Sequence, residues 1–143
     1  MATPYREVLA SIQWRTLSID CEDADAMADF YSRLLGWEVL DRGGRNPRTG
    51  GSNWVRLQNP DGLPMVAFGA RDWYERPIWP EEAASQQKMM HMEIGVDDLE
   101  ASVALAVEGG GRPAPNQPPD RDPKTLRVML DPSGHPFCLF TMS

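Results

Sequence analysis

Two stretches, "NPDGLPMVAF" (Asn59–Phe68) and "DPSGHPFCLF" (Asp131–Phe140), decide how this chain folds. Each opens with Asn or Asp, then Pro, any residue, Gly, any residue, Pro. Each closes on mostly apolar residues ending in Phe, and they begin 72 residues apart, at positions 59 and 131. Pro presets φ, Gly tolerates positive φ, and Asn or Asp bonds the backbone two residues on, so the opening is a tight turn. The apolar run behind it is a short strand. One turn and strand written twice in 143 residues predicts a duplicated module.

The residues upstream repeat in the same order. "SIQWRTLSID" (Ser11–Asp20) reads as a strand with Leu17 and Ile19 alternating. "ADAMADFYSRLLG" follows, with Met27, Phe30, Tyr31, Leu34 and Leu35 at helical spacing, Asp23 or Asp25 as cap and Gly36 as left-handed stop. "WEVL", "NWVRLQ" and "PMVAF" are three strands. The second half reads "MMHMEIGV" as strand and "DDLEASVALAVEGGG" as helix. Leu99, Val103, Ala106 and Val107 form its apolar side, Asp97 its cap and Gly109–Gly111 its stop. Strands near "RPA", in "TLRVML" and in "PFCLF" complete it. The expected fold is α+β: two βαβββ modules, residues 8–70 and 89–143, joined by an arm over 71–88 in one domain. They pair into a half-open barrel around a central cleft, with the helices on the outer face. The Pro-rich "RPAPNQPPDRDPK" reads as a mobile loop.

Composition bounds the function. The formal charge of −7 excludes a phosphate-backbone partner and is compatible with a cationic ligand. No apolar run approaches a membrane span, and "MATPYREVLA" lacks a basic stretch followed by an apolar one, so a cytoplasmic protein is expected. Cys21 and Cys138 lie far apart without CxxC spacing and read as reduced thiols.

"ADFYSRLLGWEV", "HMEIGVDDLEAS" and "DPSGHPFCLF", in order and duplicated, resemble the vicinal oxygen chelate superfamily of glyoxalase I, bleomycin-resistance proteins and extradiol dioxygenases. The layout is most similar to its actinobacterial glyoxalase-like branch. The resemblance covers essentially the whole chain. It implies paired βαβββ units, usually in homodimers, and in metal-using members a ligand on the first and last strand of each module. The matching positions here are Thr16, Val66, His91 and Cys138. Only His91 is a usual ligand, so no metal cofactor is expected, and a divalent metal completed by Glu93 or a second protomer is the alternative.

Strand parity proposes the cleft lining. Met92, Ile94 and Val96 suit the helix side, which turns His91 and Glu93 to the cleft. Cys138 and Phe140 share that side, the twin register adds Val66 and Phe68, and Trp14, Thr16, Trp54 and Arg56 complete it. An Arg on an inner sheet face needs an anion, either Glu93 or a ligand carboxylate. His135, in the turn, reads as exposed. Trp73, Tyr74 and Trp79 of the arm cover the cleft or pack on another protomer. For Trp14, Trp54 and Cys138 packing alone is the competing reading, and for His91 a hydrogen bond to a backbone group or to the neighbours of Glu93. The leading functional expectation is a protein that binds a small organic molecule without a metal. The alternative is a divalent-metal-dependent lyase or dioxygenase with an altered site, in which His91 and Glu93 carry the catalysis.

Overall fold

A computed structural model describes residues 11–77 and 90–142. Among these residues, eight strands and two helices follow the duplicated order. The first module is β1 (Thr16–Cys21), α1 (Ala24–Leu35), β2 (Val39–Gly43), β3 (Trp54–Asn59) and β4 (Gly62–Ala70). The second is β5 (Met92–Val96), α2 (Leu99–Glu108), β6 (Arg112–Pro113), β7 (Leu126–Leu130) and β8 (Pro136–Thr141). Each module makes a four-stranded mixed sheet, ordered β1-β4-β3-β2 and β5-β8-β7-β6. In both, the first strand lies parallel to the last and the rest are antiparallel. The two sheets do not close, so the half-open arrangement holds. No helix among the described residues is long and apolar enough to cross a membrane. Residues 8–10, Met89, Trp79 and the rest of the arm beyond residue 77 lie outside the described residues.

The helices form where their caps dictate. Asp23 accepts a hydrogen bond from the Ala26 amide at 3.1 Å, and Gly36 ends α1 at φ 72°. For α2 the cap is Asp98, not the expected Asp97: its carboxylate reaches the Ala101 amide at 3.0 Å. Met27, Phe30 and Tyr31 are buried, as the stripe of α1 predicts, and Leu99, Val103 and Ala106 do the same for α2. Val107 points to solvent instead, one step past the buried stripe.

One core joins the modules. Phe30, Tyr31, Val55, Leu57 and Phe68 pack with Met129, Phe137 and Leu139 beneath both helices. Phe30 and Tyr31 meet Phe137 edge-on, with centroids 5.8 and 5.9 Å apart. Tyr31 also stacks on Phe68. Cβ atoms at Gly109 and Gly111 would run into the Phe30 ring. Gly there lets the chain leaving α2 press against α1 of the other module.

Candidate functional site

The two edge strands that face each other, β1 and β5, bound a cavity of about 990 Å3. Leu17, Ser18, Ile19 and Asp20 of β1 line it in succession, so β1 offers its edge rather than one face. Opposite stand Met90, His91, Met92 and Glu93. Tyr31 and Tyr74 contribute aromatic wall, His135 and Pro136 come from the β7–β8 turn, and Trp14, 66% exposed, also lines it. Two carboxylates, Asp20 and Glu93, belong to the lining; no Lys or Arg among the described residues does. Arg71 Nε pairs with Asp20 at 3.3 Å from outside.

Three of the residues expected in the cleft, Trp14, His91 and Glu93, therefore line one cavity. The others do not line it. Val55 and Leu57 pair with Phe68 and Val66 across β3–β4, and all four are buried under α1. The expected orientation of Val66 and Phe68 is thus reversed. The first turn spends two residues, between paired Asn59 and Gly62, and the second spends five, between paired Leu130 and Pro136. A shift of one residue in strand register turns every side chain to the other face. The position on β4 that matches Cys138 is Ala67: it pairs with Ser18 as Cys138 pairs with Glu93.

Trp54, Arg56 and Thr16 do lie on the open face of the first sheet, away from the core, yet not in the cavity. Arg56 meets neither Glu93 nor a ligand. Its anion is Asp41 on the next strand, held by Nε at 2.7 Å and by a second bond to Nη2. Trp54 lies beside the guanidinium, 5.8 Å from ring centroid to Cζ. That hydrogen bonding holds the Asp41 carboxyl below its usual range. The open face of the second sheet is covered. Cys138 is buried with Leu126, Val128, Leu130 and Ala114, and Phe140 packs on them. The Pro-rich loop, read as mobile, is fastened there. Gln117 donates to the Ala114 and Val128 carbonyls at 2.9 Å and accepts from the Val128 amide at 2.8 Å.

His91, Glu93 and Cys138 converge: an imidazole nitrogen, a carboxylate oxygen and the thiol sulfur all lie within 4.8 Å of one another. His91 Nε2 is 4.0 Å from Glu93 Oε1. Nitrogen, oxygen and sulfur donors suit a borderline-soft divalent cation such as zinc, whose ligand atoms sit about 3.3–3.8 Å apart. Small side-chain rotations close the difference, so the trio fits such an ion. The first module adds no donor, because its matching positions are Ser18 and Ala67.

Sequence reasoning missed the cluster at the β7–β8 turn. Asp131 is buried and accepts from Tyr31 Oη at 2.7 Å, from the Ser133 and His135 amides at 2.9 and 3.0 Å, and from the His135 ring at 3.0 Å. Tyr74 Oη donates to the Ser133 carbonyl at 2.6 Å and stands 3.2 Å from His135 Nε2. Burial, reinforced by Asp131, pushes the Tyr31 and Tyr74 hydroxyls well above the usual tyrosine range. Burial, then Asp131, pushes the Cys21 thiol up to about 12. All three keep their protons near neutrality. The signal for this cluster was present in the sequence: an Asp-x-x-x-His spacing in the second motif that the first, with Asn59 and Leu63, lacks.

Paired βαβββ modules around an open groove define a class of proteins built on one duplicated scaffold. Residues 16–140 match the glyoxalase-like domain, and the chain belongs to that family. A comparison against curated protein sequences finds no match. Among solved structures, a glyoxalase family protein from Enterococcus faecalis is 22% identical with a TM-score of 0.59, over 92% of this chain and 98% of that one. A glyoxalase/bleomycin resistance protein/dioxygenase family enzyme from Burkholderia phytofirmans PsJN is 17% identical with a TM-score of 0.61, over 92% and 100%. TnmS3, an antibiotic binding protein from Streptomyces sp. CB03234, is 19% identical with a TM-score of 0.53, over 94% and 98%. At these identities the likeness is one of fold.

Proposed function

We propose that this protein binds a small, mostly apolar molecule of neutral or cationic character in the groove between β1 and β5. One observation carries the reading: the groove is lined by Leu17, Ile19, Tyr31 and Met92 with two carboxylates, two histidines and, among the described residues, no Lys or Arg. Apolar walls with a few placed polar groups are the usual make-up of a small-molecule site. An anion in the groove would meet Glu93 and Asp20 without a lining Lys or Arg among the described residues. That a protein of the same fold is an antibiotic binding protein supports small-molecule binding as a use of this scaffold. Three probes of matched shape test it. Benzylamine and benzyl alcohol are expected to raise the melting temperature with no metal present, and benzoate is not. Equal stabilisation by benzoate, or none by any of the three, sinks the reading. Assembly as a homodimer belongs to the proposal, with Trp73, 73% exposed, as the first residue to test at the contact by light scattering.

A second reading follows from the convergence of His91, Glu93 and Cys138. Held by these three side chains, a divalent cation would supply Lewis-acid polarisation of an oxygen on the bound molecule, the basis of a lyase or dioxygenase activity. His91 and Glu93 belong both to this trio and to the groove lining, so a bound oxygen can reach the same place. Mass spectrometry on protein purified without chelator or nickel separates the readings. Stoichiometric metal that disappears in His91→Ala favours the enzyme; metal far below stoichiometry favours the binder.

A further inference from the structure

His135 stands in the groove wall with its outward nitrogen aimed at Tyr74 and its inward nitrogen bound to a buried carboxylate. The Asp131 side chain is 0% exposed, and both of its oxygens lie 3.0 Å from His135 Nδ1. An ionised carboxylate only accepts, so the hydrogen sits on Nδ1, and a neutral ring then carries its lone pair on Nε2. Tyr74 Oη is 3.2 Å from Nε2, but its single hydrogen has a shorter bond, 2.6 Å, to the Ser133 carbonyl, which also only accepts. Among the described residues, Nε2 is thus engaged only by the longer Tyr74 contact, which a donor entering from the groove would replace, and its side chain is 24% exposed.

We infer that the Asp131–His135 pair is a binding site in the groove wall for a hydroxyl or N–H group of the bound molecule, received as a hydrogen bond on His135 Nε2. The inference rests on the groove reading above and narrows the ligand to an apolar molecule bearing a hydrogen-bond donor. Asp131 acts as a positioning residue that fixes the tautomer; Tyr31 and the Ser133 and His135 amides hold its carboxylate in place.

The chain has only two histidines, so its ring nitrogens are assignable by 15N NMR. The spectrum is recorded near pH ~9, above the ordinary imidazole range. His135 is expected to show a protonated Nδ1 and a bare Nε2. Benzyl alcohol is expected to shift Nε2, whereas benzyl methyl ether, of similar shape without a donor, is not. Both should perturb the Leu17 and Ile19 methyl groups. The alcohol should bind about five- to tenfold more tightly than the ether, as one added hydrogen bond allows, and His135→Phe should erase that preference while retaining ether binding. The opposite tautomer, or equal effects of alcohol and ether on Nε2, overturns the inference. If both probes perturb the methyl groups without that preference, this site alone falls. If neither reaches them, the groove reading falls with it. Should His135→Phe fail to fold, the tautomer and the alcohol–ether contrast in the unmodified protein still decide.

Discussion

The two copies of the turn motif share a sequence pattern and do opposite work. At Asn59 the chain reverses in two residues, near the surface. The Asn59 amide side chain accepts from the Asp61 amide and donates to the Pro64 carbonyl, both at 2.9 Å, so its bonds stay within the turn. At Asp131 the chain takes five residues, and the carboxylate is buried at the junction of the modules, where it receives a hydroxyl from α1 100 residues away. The arm fastens the same turn through Tyr74 and through Arg76, which donates to the Pro132 carbonyl at 2.6 Å. A motif therefore specifies a turn without specifying its length in the ladder, and that length decides which face the next strand presents.

The sharpest way to break this comparison is at the twin phenylalanines. Phe68 is 0% exposed in the shared core, whereas Phe140 packs at the edge of the covered sheet face. Phe68→Ala is expected to cost about 4 kcal/mol of unfolding free energy, and Phe140→Ala about 1–2 kcal/mol. Urea titration reads both; equal losses would mean the two last strands share one orientation after all. Next in size are the motif heads. Asp131→Ala strips the partner from a buried hydroxyl, two amides and a ring nitrogen, at a cost of about 3 kcal/mol, against about 1 kcal/mol for Asn59→Ala. A smaller loss at 131 than at 59 would refute the difference in burial. Tyr31→Phe isolates the cross-module bond at roughly 1–2 kcal/mol, since the ring and its stacking on Phe68 remain. A Tyr31→Phe variant as stable as the parent would show that this hydroxyl does not fasten the modules.

The duplicated order and both helices were legible because hydrophobic period, caps and turn residues are local signals. Register was not local. Val66 and Phe68 carry the same pattern as Cys138 and Phe140, and only the residues spent in each turn distinguish them. Arg56 was rightly read as needing an anion, but Asp41 is brought beside it by the β2–β3 ladder, a pairing that no spacing announces. His91, Glu93 and Trp14 reached the groove because they lie on or beside its edge strands. His135 was misplaced because a turn residue reads as exposed until a buried carboxylate four positions earlier is seen to hold its ring. The Pro-rich loop looked mobile for the same reason: one amide, Gln117, pins it, and glutamine is common in loops that nothing holds.

The long middle loops of the modules extend the contrast to pH. In the second module the fastening group is the Gln117 amide, which does not titrate. In the first it is Asp25, which accepts from the Ser52 amide at 2.7 Å and from Arg42 at 2.6 Å, closing the glycine-rich loop onto α1. Partial burial works against the Asp25 carboxylate, but the Ser52 bonds and Arg42 outweigh it and hold the group below its ordinary value of 3.8. A carboxyl whose folded value is depressed adds stability that is complete above its unfolded value and is lost as pH falls through the folded one. The difference in melting temperature between the parent and Asp25→Asn should therefore be level from about pH 7 to pH 5 and shrink below about pH 4, where the parent's carboxyl takes up its proton. Gln117→Ala should lose stability by the same amount at every pH in that range, because the bonds it gives up carry no charge. A pH-dependent loss at Gln117, or a level one at Asp25, would mean that the two loops are held by the same kind of contact.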